Sequence, residues 1–570
     1  MAEEVWMLQT KKADFKQIGA RFRIDPVTAR IIRNRGIEGE AAIDRYLNGT
    51  LDDLYDPMLL KDMERAVSIL CEAVDTGKKI RIVGDYDIDG VCSTYILLQA
   101  FERLGSDVDF EIPDRIKDGY GINESIIEQA HADGVEVILT CDNGISAFHQ
   151  VELAKKYGMT VVITDHHEVP LDGEKEKIPP ADAVIDPKQA DCPYPFPEIC
   201  GAVVAYKLVQ VLYARRGVPR MEWLDLLEFA AIATVGDVMK LQDENRILVK
   251  YGLKKMAQTK NLGLRRLAEK NNLDLGAITA YHIGFVIGPC LNAGGRLKTA
   301  KEALALLRAQ SEQEAERLAE ELKELNDTRK DMTEQGTEAA KLQVESWYQK
   351  DKVLVVFLPE CHESLAGIIA GRLREYYQKP AIVLTRGEEA VKGSGRSIDE
   401  YHMFKKLTEV SDLLLKFGGH PLAAGLSLEE KNIDEFRRRL NENAGLTEED
   451  FKAKVWIDVP MPVGYVTERL VRELSCLEPF GQGNEKPLFA EKSLRIRASR
   501  VLGRNRNVVK MTLEETDGHA IEALYFGDGT AFEEERAGRR EIDVVYYPDI
   551  NEYNGRKTLQ AVIRRYKFRG

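Results

Sequence analysis

The sequence lacks several features that would place it in a specialised class of protein. It has no run of about 20 apolar residues, so no membrane-spanning helix is predicted, and its N-terminus, MAEEVWMLQTKK, has no apolar stretch typical of a secretory signal. None of its eight cysteines forms a Cys-x-x-Cys pair, which argues against a zinc ribbon or a thioredoxin-like site. Scattered cysteines of this kind are typical of a reducing compartment, and we expect a cytoplasmic protein that binds no membrane.

The chain is also short of positive charge. Lys and Arg total 80 against 94 Asp and Glu, which gives a formal net charge of −14. This acidity argues against a protein that coats nucleic acid through a uniformly basic surface. The charge is uneven, however: residues 451–570 carry +3 and the first 450 residues carry −17. A local nucleic-acid surface in the C-terminal part is therefore compatible with the composition.

The length predicts several domains. A chain of 570 residues exceeds the roughly 250–300 residues that a single core organises, and 44% apolar with 31% charged residues is typical of a globular protein. Shifts in hydrophobic pattern predict an N-terminal helical segment, an α/β domain, a connector helix, a second α/β domain and a small β-barrel. Their predicted bounds are 1–75, 76–298, 299–350, 351–446 and 451–570.

Apolar strands alternate with helical patterns from Lys78 onward, beginning with KIRIVGD and continuing through DVDFEIPD, VEVILTCD and TVVITDHH. Such alternation predicts a doubly wound parallel sheet. The pattern resumes at KVLVVFLPE after a charged helical stretch, and from Phe451 short strands follow one another as in a small barrel. The predicted fold class is therefore α/β, with two α/β domains joined by a long helix and followed by a C-terminal barrel.

Acidic groups and histidines stand where the predicted strands end. They are Asp85, Asp87 and Asp89 in GDYDIDG, Asp142 in TCDNGIS, Asp165, His166 and His167 in TDHH, and, after a helix, Asp237 in TVGDV. One such aspartate is usually a helix cap, but four segments meeting at one sheet edge would crowd carboxylates that require a cation. Carboxylates with a histidine suit Mn²⁺ or Mg²⁺, and two such ions can assist attack of water on phosphorus.

Two glycine-rich segments of the second α/β domain carry the complementary charge. KGSGRSI contains Ser394 and Arg396, KFGGHPLAAG contains Gly418, Gly419 and His420, and LNAGGRL of the first domain adds Arg296. Glycines let backbone N–H groups approach a phosphate, and arginine can hold it through two hydrogen bonds. A single loop of this kind is equally well an ordinary turn. Together they predict a phosphate pocket opposite the cations.

These motifs, in this order, resemble those of the DHH phosphoesterase superfamily. GDYDIDG, CDNGIS, DHH and TVGDV are similar to its catalytic domain, and KGSGRS with FGGHPLAAG is similar to its DHH-associated domain. PDRIKDGYGI, LEPFGQGN and the predicted barrel narrow the resemblance to the bacterial 5′→3′ exonucleases specific for single-stranded DNA. The resemblance extends from about residue 20 to the end of the chain. It implies that domain 76–298 is catalytic, that domain 351–446 binds substrate, and that the barrel 451–570 is OB-like and binds nucleic acid.

The resemblance implies roles for individual residues. The implied ligands of two divalent cations, Mn²⁺ or Mg²⁺, are Asp85, Asp87, Asp89, Asp142, His166 and Asp237. His167 is implied to touch the scissile phosphate, with Asp165 orienting the histidines. The residues implied to bind substrate and its terminal phosphate are Arg115, Arg296, His362, Arg372, Ser394, Arg396, Gly418, Gly419 and His420.

The implied activity is metal-dependent removal of 5′-mononucleotides from single-stranded DNA, in repair and recombination. Single-stranded DNA is the expected partner, and a helicase or a single-strand-binding protein is a candidate protein partner. In the barrel, Tyr525, Phe526, Tyr546, Tyr547 and Tyr553 are candidates for stacking against bases, with Arg495, Arg497, Arg500, Arg504 and Arg506 nearby in sequence. The competing interpretation makes the tyrosines strand core and the arginines a solvated edge.

The chain departs from the superfamily pattern at two positions. Cys290 stands where the pattern usually has arginine, and Cys361 where it commonly has tryptophan. Parts of the pattern are also compatible with three other functions: a phosphodiesterase for short RNA or cyclic dinucleotides, a non-catalytic replication or repair scaffold, and an inorganic pyrophosphatase. The barrel disfavours the first, and the complete set of acidic positions disfavours the second. GDYDIDG and the C-terminal part of the chain disfavour the third.

Overall fold

The structure is a computed structural model that describes residues 4–115, 119, 121–553 and 555–569, with only the backbone of Tyr553. The segment PDRIKDGYGI therefore lies partly outside the described residues. Two compact units make up the chain. The first consists chiefly of residues 55–239 and 251–453, and the second of residues 6–54, 240–250 and 454–570.

Helices and strands are numbered in chain order. The strands are β1 (Glu4–Leu8), β2 (Ile80–Val83), β3 (Val108–Glu111), β4 (Val137–Cys141), β5 (Thr160–Thr164), β6 (Leu171–Asp172), β7 (Lys175–Glu176), β8 (Ala183–Ile185), β9 (Leu354–Phe357), β10 (Ala381–Arg386), β11 (Val391–Arg396), β12 (Leu414–Gly419), β13 (Ala423–Leu428), β14 (Ala453–Ile457), β15 (Val459–Pro460), β16 (Phe489–Leu502), β17 (Val508–Glu514), β18 (Ala520–Phe526), β19 (Glu541–Tyr553) and β20 (Arg556–Arg569). The helices are α1 (Phe15–Phe22), α2 (Pro26–Asn34), α3 (Glu40–Asn48), α4 (Met63–Asp75), α5 (Ile88–Arg103), α6 (Glu124–Ala132), α7 (Phe148–Lys156), α8 (Gly201–Arg215), α9 (Arg220–Leu224), α10 (Leu227–Gly236), α11 (Asp243–Met256), α12 (Leu262–Lys270), α13 (Ala280–His282), α14 (Gly288–Leu297), α15 (Lys301–Arg308), α16 (Glu312–Gln343), α17 (Glu363–Tyr377), α18 (Met403–Thr408), α19 (Ile433–Glu442), α20 (Glu468–Leu474) and α21 (Gly529–Arg536).

The first sheet of the first unit has the strand order β3-β2-β4-β5-β8, and its paired strands are parallel. Its central strands are buried along their whole length, as their apolar sequences IRIV and VILTC require. The chain leaves β2 toward β3 on one side and then returns to β4 on the other. The carboxyl ends of β2 and β4 therefore flank the topological switch point, where open α/β sheets bind ligands. The predicted parallel sheet is confirmed.

The second sheet has the order β12-β13-β11-β10-β9. Strands β9 and β10 are parallel, whereas β11, β12 and β13 are joined to their neighbours in antiparallel fashion. Helix α17 packs on this sheet through Leu365, Ile369 and Leu373, which are buried in one apolar cluster. The second predicted α/β domain is confirmed.

The stretch predicted as a connector forms two helices rather than one. Helix α15 ends at Arg308, and α16 begins after Ser311, whose side chain accepts a hydrogen bond from Glu314 N over 3.2 Å. A serine at this position satisfies an N–H group that the first helical turn leaves open. Helix α16 then runs for 32 residues to Gln343.

The second unit contains the predicted barrel. Its strands follow the order β15-β16-β17-β18-β20-β19, and additional pairing of β16 with β19 closes the sheet. Segments far away in sequence complete this unit: the Arg246 guanidinium donates to the carbonyl oxygens of Tyr46, Cys476 and Leu477. Such long-range packing leaves no periodic signal in the sequence. The N-terminal segment was predicted to contain only helices. The structure shows that it also contains strand β1, which pairs with β14.

The barrel aromatics differ in burial, and Tyr525 is half-buried against the apolar core. Tyr546 and Tyr547 are buried in the apolar core, and the Tyr546 hydroxyl donates to Met461 O over 2.9 Å. Their predicted role in stacking against bases is therefore wrong, because their rings are not accessible. Phe526 is exposed, and the side chain of Tyr553 lies outside the described residues. All eight cysteines are free thiols.

None of the helices in the described part of the chain combines the length and the apolar character that crossing a lipid bilayer requires.

Glu228 on α10 is a carboxyl group buried far from the sheet edge. It is 3% exposed, and its Oε1 accepts a hydrogen bond from Thr259 Oγ1 over 2.8 Å. Burial raises its pKa from 4.5 to about 7. Because the folded pKa is the higher one, this group's contribution to stability is complete below pH 4.5 and is lost as the pH rises through about 7.

We expect Glu228→Gln to remove this pH dependence. Between pH 4.5 and pH 8 the free energy of unfolding of the wild type should fall relative to that of the variant, by roughly 3 kcal/mol. Denaturant unfolding of both proteins at several pH values measures the difference, in which other titrating groups cancel. A difference that stays constant with pH would contradict the prediction.

Candidate active site

The predicted acidic groups converge at the switch point of the first sheet. Asp85 follows β2, Asp142 follows β4, and Asp165 with His166 follows β5. Asp237 caps the C-terminal end of α10, the one contribution that does not come from a strand end. The crossing of the chain at the sheet edge thus collects side chains that are up to about 150 positions apart in sequence.

His166 lies at the centre of the cluster. Its Nε2 atom is 3.0 Å from Asp142 Oδ1, 3.4 Å from Asp89 Oδ2 and 3.8 Å from Asp237 Oδ2. Asp85, Asp87 and Asp142 form an adjoining group whose ligand atoms lie within 4.8 Å of one another. Asp142 belongs to both groups, so one carboxylate links two neighbouring clusters of possible ligand atoms.

Backbone N–H groups hold two of the carboxylates. Asp87 is the N-cap of α5, where its Oδ1 accepts from the N–H groups of Asp89 and Gly90. Asp89 accepts from Gly201 N and Ala202 N, each over 2.7 Å, at the N-terminal end of α8. Positive ends of two helix dipoles therefore stabilise the negative charge. A side chain at Gly201 would lie 2.7 Å from the Asp142 Cβ, so the close approach of α8 requires glycine.

The negative charges of the carboxylates in the cluster repel one another. Burial, followed by repulsion from neighbouring carboxylates, raises the pKa of Asp85 to about 8 and also raises the pKa values of Asp87, Asp142 and Asp237. Burial lowers the pKa of His166, which favours the neutral imidazole that a metal ligand must be. Carboxylates and one neutral imidazole are a donor set that fits Mn²⁺ or Mg²⁺, and a divalent cation would offset the repulsion.

His167 differs from His166 in environment and charge. Its Nδ1 lies 2.7 Å from Asp165 Oδ1, which also accepts from His166 N. Burial alone would lower the pKa of His167, but the hydrogen bond and charge of Asp165 raise it to about 9. Ile145 N donates a hydrogen bond to Asp165. Burial tends to raise the pKa of Asp165, but the hydrogen bond to His167, the charges of the two histidines and the bond from Ile145 together lower it. The His167 side chain is 42% exposed, so it can reach a ligand.

Sequence reasoning missed three residues that support the cluster. Asn143 bridges strands by donating to Val83 O and Cys141 O. Asp186 follows β8, is fully buried, and has a pKa raised to about 7 by burial and then by Asp165. Gly201 is the third. The strand pattern of AVIDP could have identified Asp186, whereas neither the amide bridge nor the need for glycine has a local signature.

A pocket of about 510 Å³ adjoins the cluster, between the first sheet's loops and helix α17. It is lined by Tyr86, Arg115, Arg296, Glu363, Ser364, Ala366, Gly367, Ile368, Thr385, Lys392, Gly393, Ser394, Arg396, Gly425 and Leu426. Arg115 lies 4.9 Å from the Tyr86 ring centroid, Arg296 donates to Ser364 O, and Arg396 donates to Gly395 O. Four of the nine predicted substrate residues therefore share one pocket: Arg115, Arg296, Ser394 and Arg396.

The arginines of this pocket carry positive charges that no nearby carboxylate of the described residues neutralises, so an anion could bind them. Burial, followed by repulsion from Arg115, lowers the pKa of Arg296 to about 10, and burial followed by repulsion from Arg374 lowers that of Arg396. Within the described residues, no carboxylate oxygen lies within 4 Å of a guanidinium nitrogen of Arg296 or Arg396. Bound phosphate would supply the missing negative charge.

The other predicted substrate residues lie outside this pocket. His362 is the N-cap of α17, and its Nδ1 lies 2.8 Å from Ser364 Oγ. Arg372 lines a separate cavity beside α16, together with Glu334 and Glu338. Gly418 and Gly419 are the last residues of β12, and His420 begins the turn to β13; all three are exposed.

The two departures from the superfamily pattern have different surroundings. Cys290 is buried, and its Sγ accepts from Asn326 Nδ2 over 3.3 Å, so the thiol occupies a polar site inside the protein. Cys361 is half-buried, and its backbone carbonyl accepts a hydrogen bond from Thr385 Oγ1.

Gly367 on α17 leaves room for the side chains of the arginine pocket. A Cβ atom there would lie 2.8 Å from both Arg396 Nη2 and Ser394 Oγ. We expect Gly367→Ala to displace Arg396 and to lower kcat/KM for a phosphorylated strand by about tenfold, the loss of one hydrogen bond to a charged group. Steady-state hydrolysis measures the change.

Gly371 provides a matched control on the same helix. The nearest atom to a Cβ at this position is Arg396 Cγ at 4.0 Å, an ordinary contact. Gly371→Ala should leave hydrolysis unchanged and should raise helix stability by roughly 0.5–1 kcal/mol. Equal activity of the two variants would contradict the steric explanation.

Comparison with known proteins gives close relatives over nearly the whole chain. The single-stranded-DNA-specific exonuclease RecJ of Bacillus subtilis is 36% identical over 564 residues, which cover 98% of this chain and 70% of that protein. The protein of the same name from Escherichia coli is 34% identical and covers 95% of both chains. The crystal structure of RecJ in complex with Mn²⁺ from Thermus thermophilus matches with a TM-score of 0.84, 28% identity, and coverage of 99% of this chain and 80% of that one.

Three family models match consecutive parts of the chain. The N-terminal domain of the DHH family matches residues 79–234, the DHHA1 domain 350–445, and the RecJ OB domain 457–565. The fold and the aspartate–histidine cluster, together with these matches, define a DHH phosphoesterase. Within that superfamily, the chain belongs to the RecJ family.

Proposed function

We propose that this protein is a metal-dependent 5′→3′ exonuclease that hydrolyses single-stranded DNA to 5′-mononucleotides in DNA repair and recombination. The observation that carries the proposal is the juxtaposition, within one compact unit, of the acidic cluster around His166 and the arginine pocket around Arg396. The proposal is also supported by relatives named single-stranded-DNA-specific exonucleases, whose similarity covers 95–98% of this chain.

Two divalent cations, Mn²⁺ or Mg²⁺, are the proposed cofactors. The RecJ structure of Thermus thermophilus has been solved with each of these ions. The residues that would hold them are Asp85, Asp87, Asp89, Asp142, His166 and Asp237. When bound, such ions activate water and stabilise the charges on the attacking and leaving oxygens of a phosphodiester.

The remaining residues position the strand. Arg115, Arg296, Ser394 and Arg396 would grip the 5′ phosphate, which fixes how far the strand reaches past the acidic cluster. His167, kept protonated by Asp165, would donate a hydrogen bond to the scissile phosphate and stabilise its developing charge. His362, Arg372, Gly418, Gly419 and His420 remain predicted substrate contacts outside the pocket.

The other parts of the chain have proposed roles too. The proposed domain bounds are those that the sequence predicts: 1–75, 76–298, 299–350, 351–446 and 451–570. The last domain would bind single-stranded DNA. The exposed Phe526 supports this role, since bases stack on accessible aromatic rings. A helicase or a single-strand-binding protein is a proposed partner. The eight free cysteines support a cytoplasmic location.

Product analysis on end-labelled DNA tests the proposed function. With Mn²⁺ or Mg²⁺, a 5′-phosphorylated single strand should release mononucleotides from its 5′ end, while a blunt duplex of the same sequence should remain intact. A dinucleotide is the control substrate for the alternative phosphodiesterase activity. Equal turnover of single and double strands, or preference for the dinucleotide, would overturn the proposal.

A further inference from the structure

Two large aromatic side chains are exposed close to the acidic cluster. Tyr281 is 62% exposed and Phe285 is 68% exposed. Their rings stack on each other with centroids 4.7 Å apart and planes inclined by 26°. A pair of this size facing water is unusual unless it serves a contact, because burying such rings is favourable.

The local backbone presents the pair. Tyr281 belongs to α13. Phe285 belongs to a short π-helical segment, Ile283–Ile287, that follows α13 directly. Residues four positions apart lie on the same face of a helix, so the two rings stand side by side. Within this turn, Ile283 and Ile287 are buried and anchor the segment, while the aromatic face is left outside. Insertions of π-helix are frequent at functional sites.

The aromatic segment adjoins both parts of the candidate active site. A cavity of about 100 Å³ is lined by Gly284 of the π-helical turn, by Gly236 and by Arg296. Gly236 directly precedes the predicted metal ligand Asp237, and Arg296 also lines the phosphate pocket. The segment that carries the exposed rings therefore lines, through Gly284, a cavity that also contains residues next to the acidic cluster and to the arginine pocket.

The cavity lined by Gly284 also contains a positive charge, which suits the phosphates of a nucleic-acid backbone. Arg329 of α16 lines the same small cavity and is bound to Asn326 Oδ1 over 3.1 Å. Burial, followed by repulsion from Arg372, lowers its pKa. Among the described residues, no carboxylate lies within 4 Å of its guanidinium nitrogens. An exposed aromatic pair, on a segment that shares a cavity with a cation lacking an acidic partner, is a combination suited to single-stranded nucleic acid.

We propose that Tyr281 and Phe285 form a base-stacking platform for the unpaired nucleotides next to the scissile phosphate. This proposal rests on the proposed exonuclease function. The bases of a duplex are already stacked and paired, so they cannot be offered to the rings without melting the helix. The platform therefore favours single strands, and it does so for any sequence because every base has a flat apolar face.

Binding of fluorescent DNA to the full-length protein, in the presence of a chelator, tests the platform separately from hydrolysis. The probes are a 5′-phosphorylated single strand and a strand of equal length whose nucleotides lack bases. For the strand with bases, Tyr281→Ala combined with Phe285→Ala should raise Kd about 10–100-fold. For the abasic strand, wild type and variant should have the same Kd. Phe285→Leu, which keeps apolar volume without a flat ring, should weaken binding of the strand with bases.

Trp347→Ala is the matched control, since Trp347 is also an exposed aromatic residue, 72% exposed, in another π-helical turn of the same unit. It should leave both Kd values unchanged. An unchanged Kd in the double variant, or equal weakening with the abasic strand, would overturn the platform. Because binding is measured without divalent ions, a wild type that binds DNA but fails to hydrolyse it would contradict only the proposed function.

Discussion

Asp142→Asn should abolish metal-dependent hydrolysis of single-stranded DNA. Asp142 is the carboxylate shared by the two groups of ligand atoms, 3.0 Å from His166 Nε2. Loss of residues that merely orient ligands costs about 10–100-fold, so loss of a shared ligand should lower kcat/KM by more than about 100-fold. Asparagine is the preferred substitute because position 142 has φ of 61°, a left-handed conformation that asparagine tolerates.

The same substitution should make the metal-free protein more stable. The pKa of Asp142 is raised by burial and by repulsion from Asp89 and Asp87, so removing its charge relieves an unfavourable interaction. In a chelator the Tm of Asp142→Asn should therefore exceed that of the wild type, whereas added Mn²⁺ should raise only the wild-type Tm appreciably.

Asp191→Ala is the control for charge removal, because Asp191 is exposed and pairs with Lys61 away from the cluster. It should retain activity and the response to Mn²⁺. Substantial hydrolysis by Asp142→Asn with Mn²⁺ would show that the proposed metal site is wrong.

Arg396→Ala should separate substrate binding from metal binding. Arg396 lines the phosphate pocket, has no acidic partner within the described residues, and is held by Gly395 O and Ser394 Oγ. A hydrogen bond to a charged group is worth about 1.5–3 kcal/mol, which corresponds to roughly 10–150-fold in kcat/KM. We expect a loss in this range for a 5′-phosphorylated strand and a smaller loss for a strand with a 5′ hydroxyl.

Two further variants sharpen this experiment. Arg396→Lys keeps the charge but cannot hold phosphate through two parallel bonds, so it should recover only part of the activity. Arg386→Ala removes an arginine that pairs with Glu430 on the surface of the same domain and should behave as wild type. Thermal stabilisation of Arg396→Ala by Mn²⁺ should be unchanged. Equal losses on phosphorylated and hydroxyl-ended strands would contradict a role in binding the terminal phosphate.

Much of the fold could be predicted because its signals are local. The apolar strands IRIV and VILTC and the helices between them require a parallel sheet, and residues that follow such strands must meet at one edge. Asp85 and Asp142 are therefore brought together as predicted. The closed barrel was predicted in the same way, from strands that follow one another with short turns.

Features that depend on distant contacts could not be predicted. Assembly of residues 6–54 and 240–250 with the barrel depends on bonds such as those from Arg246 to Cys476 and Leu477, which have no periodicity in the sequence. Tyr546 and Tyr547 are adjacent in β19 and point to opposite faces of the strand, so the burial of both depends on packing against each of its faces. Their identity as aromatic residues could not decide this.

The sequence by itself determined the chemistry of this protein: the carboxylates, the histidine pair and the arginines, together with the strand pattern that orders them. Only the tertiary structure decided which atoms meet. It places His166 Nε2 among three carboxylates and brings the Gly367 backbone close to the Arg396 side chain. It also leaves the stacked rings of Tyr281 and Phe285 exposed. The physical reason is that residue type and periodicity report the preferences of neighbouring positions, whereas a distance or the space for one Cβ depends on segments far away in the chain.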